Sequence, residues 1–266
     1  MRNTLSIIRM ALSRESPKGR RQAKNVEQVR ELLEAYQQQL SDQYRREIEA
    51  RQTEVAALQS QINPHFLYNT LEAIRGKALL EGAQETSDMV EALSRLFRYS
   101  ISLPGQFVTL EQELENLGDY MKIQEYRFGK KISFQKDIEA NDALLSYELP
   151  KLTLQPIVEN AIFHGLERKL GAGLIQLTIF TTQCHLIIRV SDDGVGMSDE
   201  TLQRVQSRLS GGAPRPGSSK SIALSNVNER IRLRFGREYG LSVSSTLYVG
   251  TDVELFLPWR WDDRPC

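Results

Sequence analysis

His65 is one of three histidines in the chain and follows a proline inside an otherwise helical run, Gln59 to Leu71. A neutral imidazole, with an ordinary pKa of about 6.5, keeps a free lone pair at neutral pH and can attack phosphorus without a strong base. At about 100° of turn per residue, Leu67, Leu71, Ile74 and Ala78 make one apolar stripe, and His65 lies roughly 200° from Leu67. It therefore faces outward. Asn69 and Glu72, at i+4 and i+7, share its face, and the Asn69 amide can orient the ring or a water. The plainer alternative is a surface histidine at the start of a new helix, with Pro64 in its first turn.

Two later stretches carry different chemistry. Glu159-Asn160-Ala161-Ile162-Phe163-His164-Gly165 reads as helix, with Asn160 and His164 one turn apart on one face. A neutral amide oxygen suits a nucleotide-bound Mg²⁺, which keeps several waters and takes few protein ligands. Asp192-Asp193-Gly194-Val195-Gly196-Met197 directly follows an apolar strand. A carboxylate at a strand end can accept the exocyclic amine of adenine, and Gly194 and Gly196 let the backbone turn beneath a ring. Alone, the same residues describe an ordinary Asp-Gly turn. We place Glu159 with His65 and Asn69 as catalytic.

These residues need a frame to hold them. The chain has 266 residues, enough for two modest domains, with 34 basic and 34 acidic side chains and no net charge. That balance gives no overall pull toward nucleic acid. Two cysteines, Cys184 and Cys266, make neither a disulfide framework nor a metal cluster, which fits a reducing, cytoplasmic setting. No apolar run is long enough to cross a bilayer. Residues 1–25 are basic and amphipathic. Such a stretch suits an anionic membrane face, but the composition favours a solvated tail. Residues 26–63 carry apolar positions at 3-4 spacing with an offset near Tyr44, the pattern of a signalling coiled coil with a register defect. Residues 64–82 and 86–103 read as an antiparallel pair of helices that cannot hide both apolar faces, so a homodimeric four-helix arrangement is expected.

Thr109 with Gln112 reads as a capping box opening a helix that Gly129 ends. Strands are then expected at 132–138, 174–180, 185–190, 241–245 and 253–257. Helices are expected at 149–166, 198–209 and 222–235, with a Gly/Pro/Ser loop at 210–221. The fold class is α+β: a coiled coil and helical hairpin, then a two-layer α/β sandwich. The expected domains are 1–25 (tail), 26–63 (coiled coil), 64–129 (dimerisation and phosphotransfer) and 130–260 (nucleotide binding).

The stretches QINPHFLYNTL, LQPIVENAIFHG (154–165), DDGVGM (192–197), NVNERIRLRFG (226–236) and Gly250-Thr251 occur in one register. On them, the chain resembles the cytoplasmic half of two-component sensor histidine kinases of the LytS/YesM-like type, over about residues 55–258. The resemblance implies a dimerising phosphoacceptor domain and an ATP-binding domain of the GHKL type. It implies that His65 takes the phosphoryl group from Mg–ATP and passes it to an aspartate on the receiver domain of a response regulator. It implies Mg²⁺ on Asn160, adenine on Asp193, and nucleotide contacts from His164, Gly194, Gly196 and Thr251. Two cases stay open: the cytoplasmic end of a longer membrane sensor, or a kinase that has lost its sensor, with membrane association then through the basic N-terminus.

One departure matters. The family ends its lid in a Gly-x-Gly-Ile-Gly-Leu run, and here Ser219-Lys220-Ser221-Ile222-Ala223-Leu224 stands in its place. Glycines there let backbone N–H groups close on phosphate. Ser219, Lys220 and Ser221 can donate instead, yet the change also fits a degenerate kinase that serves as a dimeric scaffold.

Overall fold

The structure, a computed structural model, describes residues 64–101, 107–139, 141–211 and 222–259. The tail, the expected coiled coil and Ser219, Lys220 and Ser221 lie outside the described residues.

Helix α1 runs Pro64–Leu80 and α2 runs Gln84–Ile101. Gly82 joins them at φ 72, the left-handed conformation that commonly ends a helix. The expected stripe on α1 is half realised: Leu71 and Ala78 are buried, but Ile74 stays 46% exposed. On α2 the residues that go inside are Ser87, Val90, Ala92 and Ser94. Met89, Leu93, Leu96 and Phe97, which the periodicity put in the seam, are only half-buried. Helix α3, Leu110–Phe128, starts at the expected capping box. Thr109 Oγ1 accepts from Gln112 N at 3.3 Å, and Gln112 Oε1 accepts from Thr109 N at 3.0 Å. Arg95 of α2 grips Asp119 of α3 through two hydrogen bonds of 2.8 and 2.9 Å.

The remaining strands are β1 (Phe107–Thr109), β2 (Ile132–Ile138), β3 (Glu148–Pro150), β4 (Gly173–Thr181), β5 (His185–Asp192), β6 (Gly240–Thr246) and β7 (Gly250–Pro258). One turn of helix, α4, covers Asp142–Leu145; α5 covers Leu154–Asn160, α6 Asp199–Leu209 and α7 Ile222–Phe235. Five strands form a sheet in the order β2-β4-β5-β7-β6, with β2 parallel to β4 and the other neighbours antiparallel. Alternation puts Ile175, Leu177, Ile179, Leu186, Ile188, Val190, Val253, Leu255 and Leu257 on the buried face. Leu117 and Met121 of α3, Ile157 and Ile162 after α5, and Val227 and Ile231 of α7 close over it in one core. The result is the expected two-layer α/β sandwich, of the GHKL-like class, behind a helical part.

The structure differs from the sequence reading in three places. A helix was expected from Leu149. Instead Leu149 lies in β3, which pairs with β1, and Leu152 at φ 57 turns the chain before α5 begins. Second, α3 reads with the helical segment ending at 129, and its apolar face packs into the core of the sheet as well as against α2. Third, Cys184, in the β4–β5 turn, is disulfide-bonded. The pairing of His185 with Pro258 brings the end of β7 alongside that turn, where Trp259 N donates to Cys184 O at 2.9 Å.

Candidate functional site

Helix α5 does not end at Asn160. It continues as one π-turn, Ala161–Leu166, a geometry that recurs at functional sites because the extra residue re-aims side chains. Asn160 is half-buried and His164 is exposed on this segment. Gln155 Nε2 donates to Glu159 Oε1 at 2.8 Å, and Asn116 Nδ2 of α3 donates to Gln155 Oε1 at 3.0 Å, so Glu159 is held by a relay from α3. Gly165 is where helix meets sheet. A Cβ there would sit 2.4 Å from Asp192 Oδ1, and a Cβ on Gly194 would sit 2.4 Å from the Gly165 backbone. Val195 N–H donates to Gly165 O at 3.1 Å. Only glycines permit this contact.

The far side of the turn is clipped to the β6–β7 hairpin. Tyr248 N–H donates to Val195 O at 2.7 Å, and Met197 N–H donates to Ser245 Oγ at 2.9 Å. Gly196 has φ 62, and a Cβ there would meet Thr246 O at 2.0 Å. The antiparallel register sets Asp192 opposite Thr251. Thr251 is buried, with its Oγ1 3.0 Å from Ser245 Oγ.

The two adjacent aspartates have opposite surroundings. Burial pushes the Asp192 carboxyl up to about 6; the Gly194 N–H, donating at 2.9 Å to Oδ1, opposes that rise, and Asp193 and Asp252 add to it. Asp193 is exposed, with Oδ1 accepting from Leu174 N at 2.8 Å and Oδ2 2.9 Å from Lys169 Nζ. Partial burial pushes Asp193 up, but that N–H and Lys169 outweigh it and hold the carboxyl below the usual range. The adenine role that the sequence reading gave Asp193 thus falls on a carboxylate already engaged on the surface. Asp192 is the one gathered into the cradle of Gly165, Gly194, Gly250 and Thr251. Spacing held the signal: Asp192 begins an Asp-x-Gly-x-Gly run, whereas counting from Asp193 does not.

The turn gathers Gly194, Gly196 and Thr251 with Gly165 against it, while Glu159, Asn160 and His164 lie on the helix and π-turn that lead into Gly165. His65 and Asn69 stand apart on α1, whose packing partner is α2. His65 is exposed, as its position opposite Leu67 requires, and Asn69 Nδ2 lies 3.3 Å from Nδ1 and 3.4 Å from Nε2 of the ring. Glu72 is turned to Arg75, 2.8 Å away, so its charge is spent beside the ring and not on it. Among the described residues no group of three or more His, Cys, Asp or Glu could hold a metal by itself. A lone amide such as Asn160 fits an ion that arrives on phosphate.

The family model described as histidine kinase matches residues 53–132. The model described as histidine kinase-, DNA gyrase B-, and HSP90-like ATPase matches residues 148–260. Sensor histidine kinase YesM of Bacillus subtilis (strain 168) is 35% identical over 88% of this chain and 37% of its own length. Sensor histidine kinase BtsS of Escherichia coli (strain K12) is 34% identical over 88% of this chain and 38% of its own. The chain therefore spans well under half of these relatives. The histidine kinase domain of the blue-light activated kinase from Erythrobacter litoralis EL346 superposes at TM-score 0.42 and 16% identity, over 73% of this chain and 93% of that one. With a histidine kinase segment and an ATPase segment in that order, and such relatives spanning both, the chain belongs to the sensor histidine kinases of the LytS/YesM type.

Proposed function

We propose that the chain is the kinase portion of a sensor histidine kinase that phosphorylates its own His65 from Mg–ATP as a homodimer. It then hands the phosphoryl group to an aspartate on a response regulator receiver domain. The observation that carries this reading is the exposed His65, with Asn69 on its ring, on the same chain as a glycine-lined cradle around Asp192. Mg–ATP supplies the γ-phosphoryl group, with Asn160 a ligand of the metal. The imidazole lone pair forms the N–P bond as the bond from γ-phosphorus to the bridging oxygen breaks, and the ring's other N–H proton leaves to solvent. Asn69 orients the ring so that the attacking nitrogen stays unprotonated. Adenine rests on Asp192 in place of Asp193, over Gly194 and Gly196 and backed by Thr251. His164 and Glu159 flank the phosphates from the π-turn, and Ser219, Lys220 and Ser221 donate to them. We place the domain boundary between α2 and β1, since α3 shares the core of the sandwich. We further propose that the protein works at the cytoplasmic side of a membrane, joined to a sensor region. Among the described residues no helix is long and apolar enough to cross one.

A second reading, a scaffold with little or no ATP turnover, is favoured by one observation: Ser219, Ser221 and Ala223 replace lid glycines. Incubation of the full chain with γ-labelled ATP separates the two. Acid-labile label that vanishes in His65→Gln supports the kinase. Acid-stable label, or label that survives His65→Gln, sinks it, and no label at all moves the assignment to the scaffold.

A further inference from the structure

Helix α5 lacks an N-cap of its own. Thr153, at the cap position, has helical backbone angles and no side-chain cap bond. The first-turn N–H groups of a helix need acceptors, and an anion there is further favoured by the helix dipole. The acceptor comes from another helix. Glu113 of α3 is 0% exposed. Its Oε1 accepts from Leu152 N at 2.6 Å, and its Oε2 accepts from Thr153 N at 2.9 Å and Leu154 N at 2.8 Å. A buried carboxylate is costly unless its lone pairs are satisfied. The remaining donor is the Tyr99 hydroxyl of α2, which hydrogen-bonds to the same Oε1.

The cluster reaches further. Lys151, 6% exposed, sets its Nζ 4.8 Å from the centre of the Tyr99 ring. Arg230 of α7 donates to Lys151 O and Leu152 O, both at 2.6 Å. Leu152 sits at φ 57, unfavourable for a residue with a Cβ. Its N–H is held by Glu113 and its carbonyl by Arg230, which is how such a conformation persists. Three helices therefore meet at one carboxylate, and α7 joins through the Lys151 and Leu152 carbonyls. Helix α5 carries Glu159 and Asn160, and α7 carries Arg230. Helix α3 supplies the carboxylate. Helix α2, the second helix of the His65 hairpin, supplies Tyr99, and the Arg95–Asp119 pair one turn earlier fixes its register.

We propose that Glu113 is a positioning residue for the nucleotide helix and that Tyr99 is the hairpin's hold on it, so that the hairpin's arrangement and the Mg–ATP site are energetically linked. The inference rests on the nucleotide reading above. A rotation or slide of α2 withdraws the phenol and leaves Glu113 one donor short in a buried place. The carboxylate must then shift, and the Leu152–Leu154 backbone that sets the start of α5 shifts with it. Linkage is reciprocal, so nucleotide at Asn160 must in turn alter the local stability of α2 around Tyr99.

Amide hydrogen exchange on the full chain, with and without Mg–ADP, tests this. In the unmodified protein the nucleotide is expected to protect the 192–194 turn and to slow exchange across residues 94–101 by about fivefold, the low end of ordinary coupling. In Tyr99→Phe, which removes one oxygen and keeps the ring, protection at 192–194 is expected to stay. The response in 94–101 is expected to vanish, and Leu152–Leu154 are expected to exchange faster without nucleotide. Should that variant not fold, Arg95→Gln loosens α2 on α3 from the surface, and a weakened response in 94–101 is expected. Protection at 192–194 with no response in α2 of the unmodified protein overturns the inference alone, as does a response undiminished in both variants. Absence of protection at 192–194 in the unmodified protein overturns the nucleotide reading and this inference together.

Discussion

The hairpin and the sandwich solve the burial problem to different degrees. The sheet face formed by β4, β5 and β7 is covered by α3, α5 and α7, and Leu177, Leu186 and Leu255 are fully buried within it. The hairpin hides Leu71, Ala78, Val90 and Ala92, yet leaves Ile74 46%, Leu79 44% and Leu80 91% exposed, with Phe66 66% exposed beside His65. The sheet face is closed by helices of its own chain, whereas the hairpin shows apolar surface of the kind that the proposed homodimer would cover in a four-helix arrangement. The difference teaches that the sandwich takes its stability from its own core, while the proposed phosphoacceptor hairpin leaves its open face to an assembly that a signal could act on.

The widest separation between the two regions should come from truncating one leucine in each. Leu177→Ala removes a fully buried side chain and should cost about 2–5 kcal/mol. Leu80→Ala, at a site 91% exposed in the single chain, should change subunit stability by no more than about 0.5 kcal/mol. Urea unfolding of the two variants at low protein concentration measures both. Similar losses would mean that the hairpin already has a closed core.

Charge placed on the open face sharpens the same contrast. Ile74→Glu should weaken dimerisation on the order of 100-fold, since an unpaired carboxylate would enter an apolar seam. It should leave the sandwich and its nucleotide affinity unchanged. Sedimentation over a concentration series reads the first, and calorimetric titration with Mg–ADP reads the second. A dimer that survives Ile74→Glu would place the interface elsewhere.

Much of this was legible in the sequence, and the failures have physical causes. The strands read well because their inward positions alternate strictly, as in Ile175, Leu177 and Ile179. The capping box at Thr109 read well because a cap is local chemistry. The start of α5 was misread because Leu149 pairs with Val108, a contact 41 positions back (149 − 108), and no local pattern encodes it. The adjacent carboxylates Asp192 and Asp193 look alike in the sequence, and only the packing of Gly165 against Asp192 separates their surroundings. Glu113 was invisible for a similar reason. On a helix beginning Leu-Glu-Gln-Glu-Leu it reads as one more solvated acid, and its burial depends on backbone donors nearly forty residues away.

The two aspartates offer a smaller but cleaner contrast within the sandwich. Asp192→Asn should weaken Mg–ADP binding by roughly 10-fold or more, since a charge-assisted acceptor becomes an amide of uncertain orientation. Asp193→Asn should stay within about twofold, because it loses only an exposed ion pair with Lys169. Calorimetric titration of both decides between them. The reverse ranking would restore Asp193 as the adenine residue.

Acidity should then move binding and stability in opposite directions through the same carboxyl. Burial raises Asp192 from 3.8 to about 6, so the folded protein holds a proton there that the unfolded chain has already lost. Its contribution to stability is fully present below about 3.8 and is lost as pH rises through about 6. Acidifying from pH 7 to 5 should therefore raise the stability of the unmodified protein relative to Asp192→Asn. The same protonation removes the acceptor charge, so nucleotide affinity should fall about tenfold over that interval. Titration of the nucleotide's own phosphates appears equally in both proteins and cancels in the difference. Asp193 contributes with the other sign, and elsewhere: its carboxyl is held below 3.8, so what it adds to stability is present above that value and disappears only in stronger acid. Between pH 5 and 7 the Asp193→Asn protein should track the unmodified one in both measurements. If stability and affinity instead fall together on acidification, and do so equally in Asp192→Asn, then Asp192 is ionised throughout and the cradle is better solvated than its packing indicates.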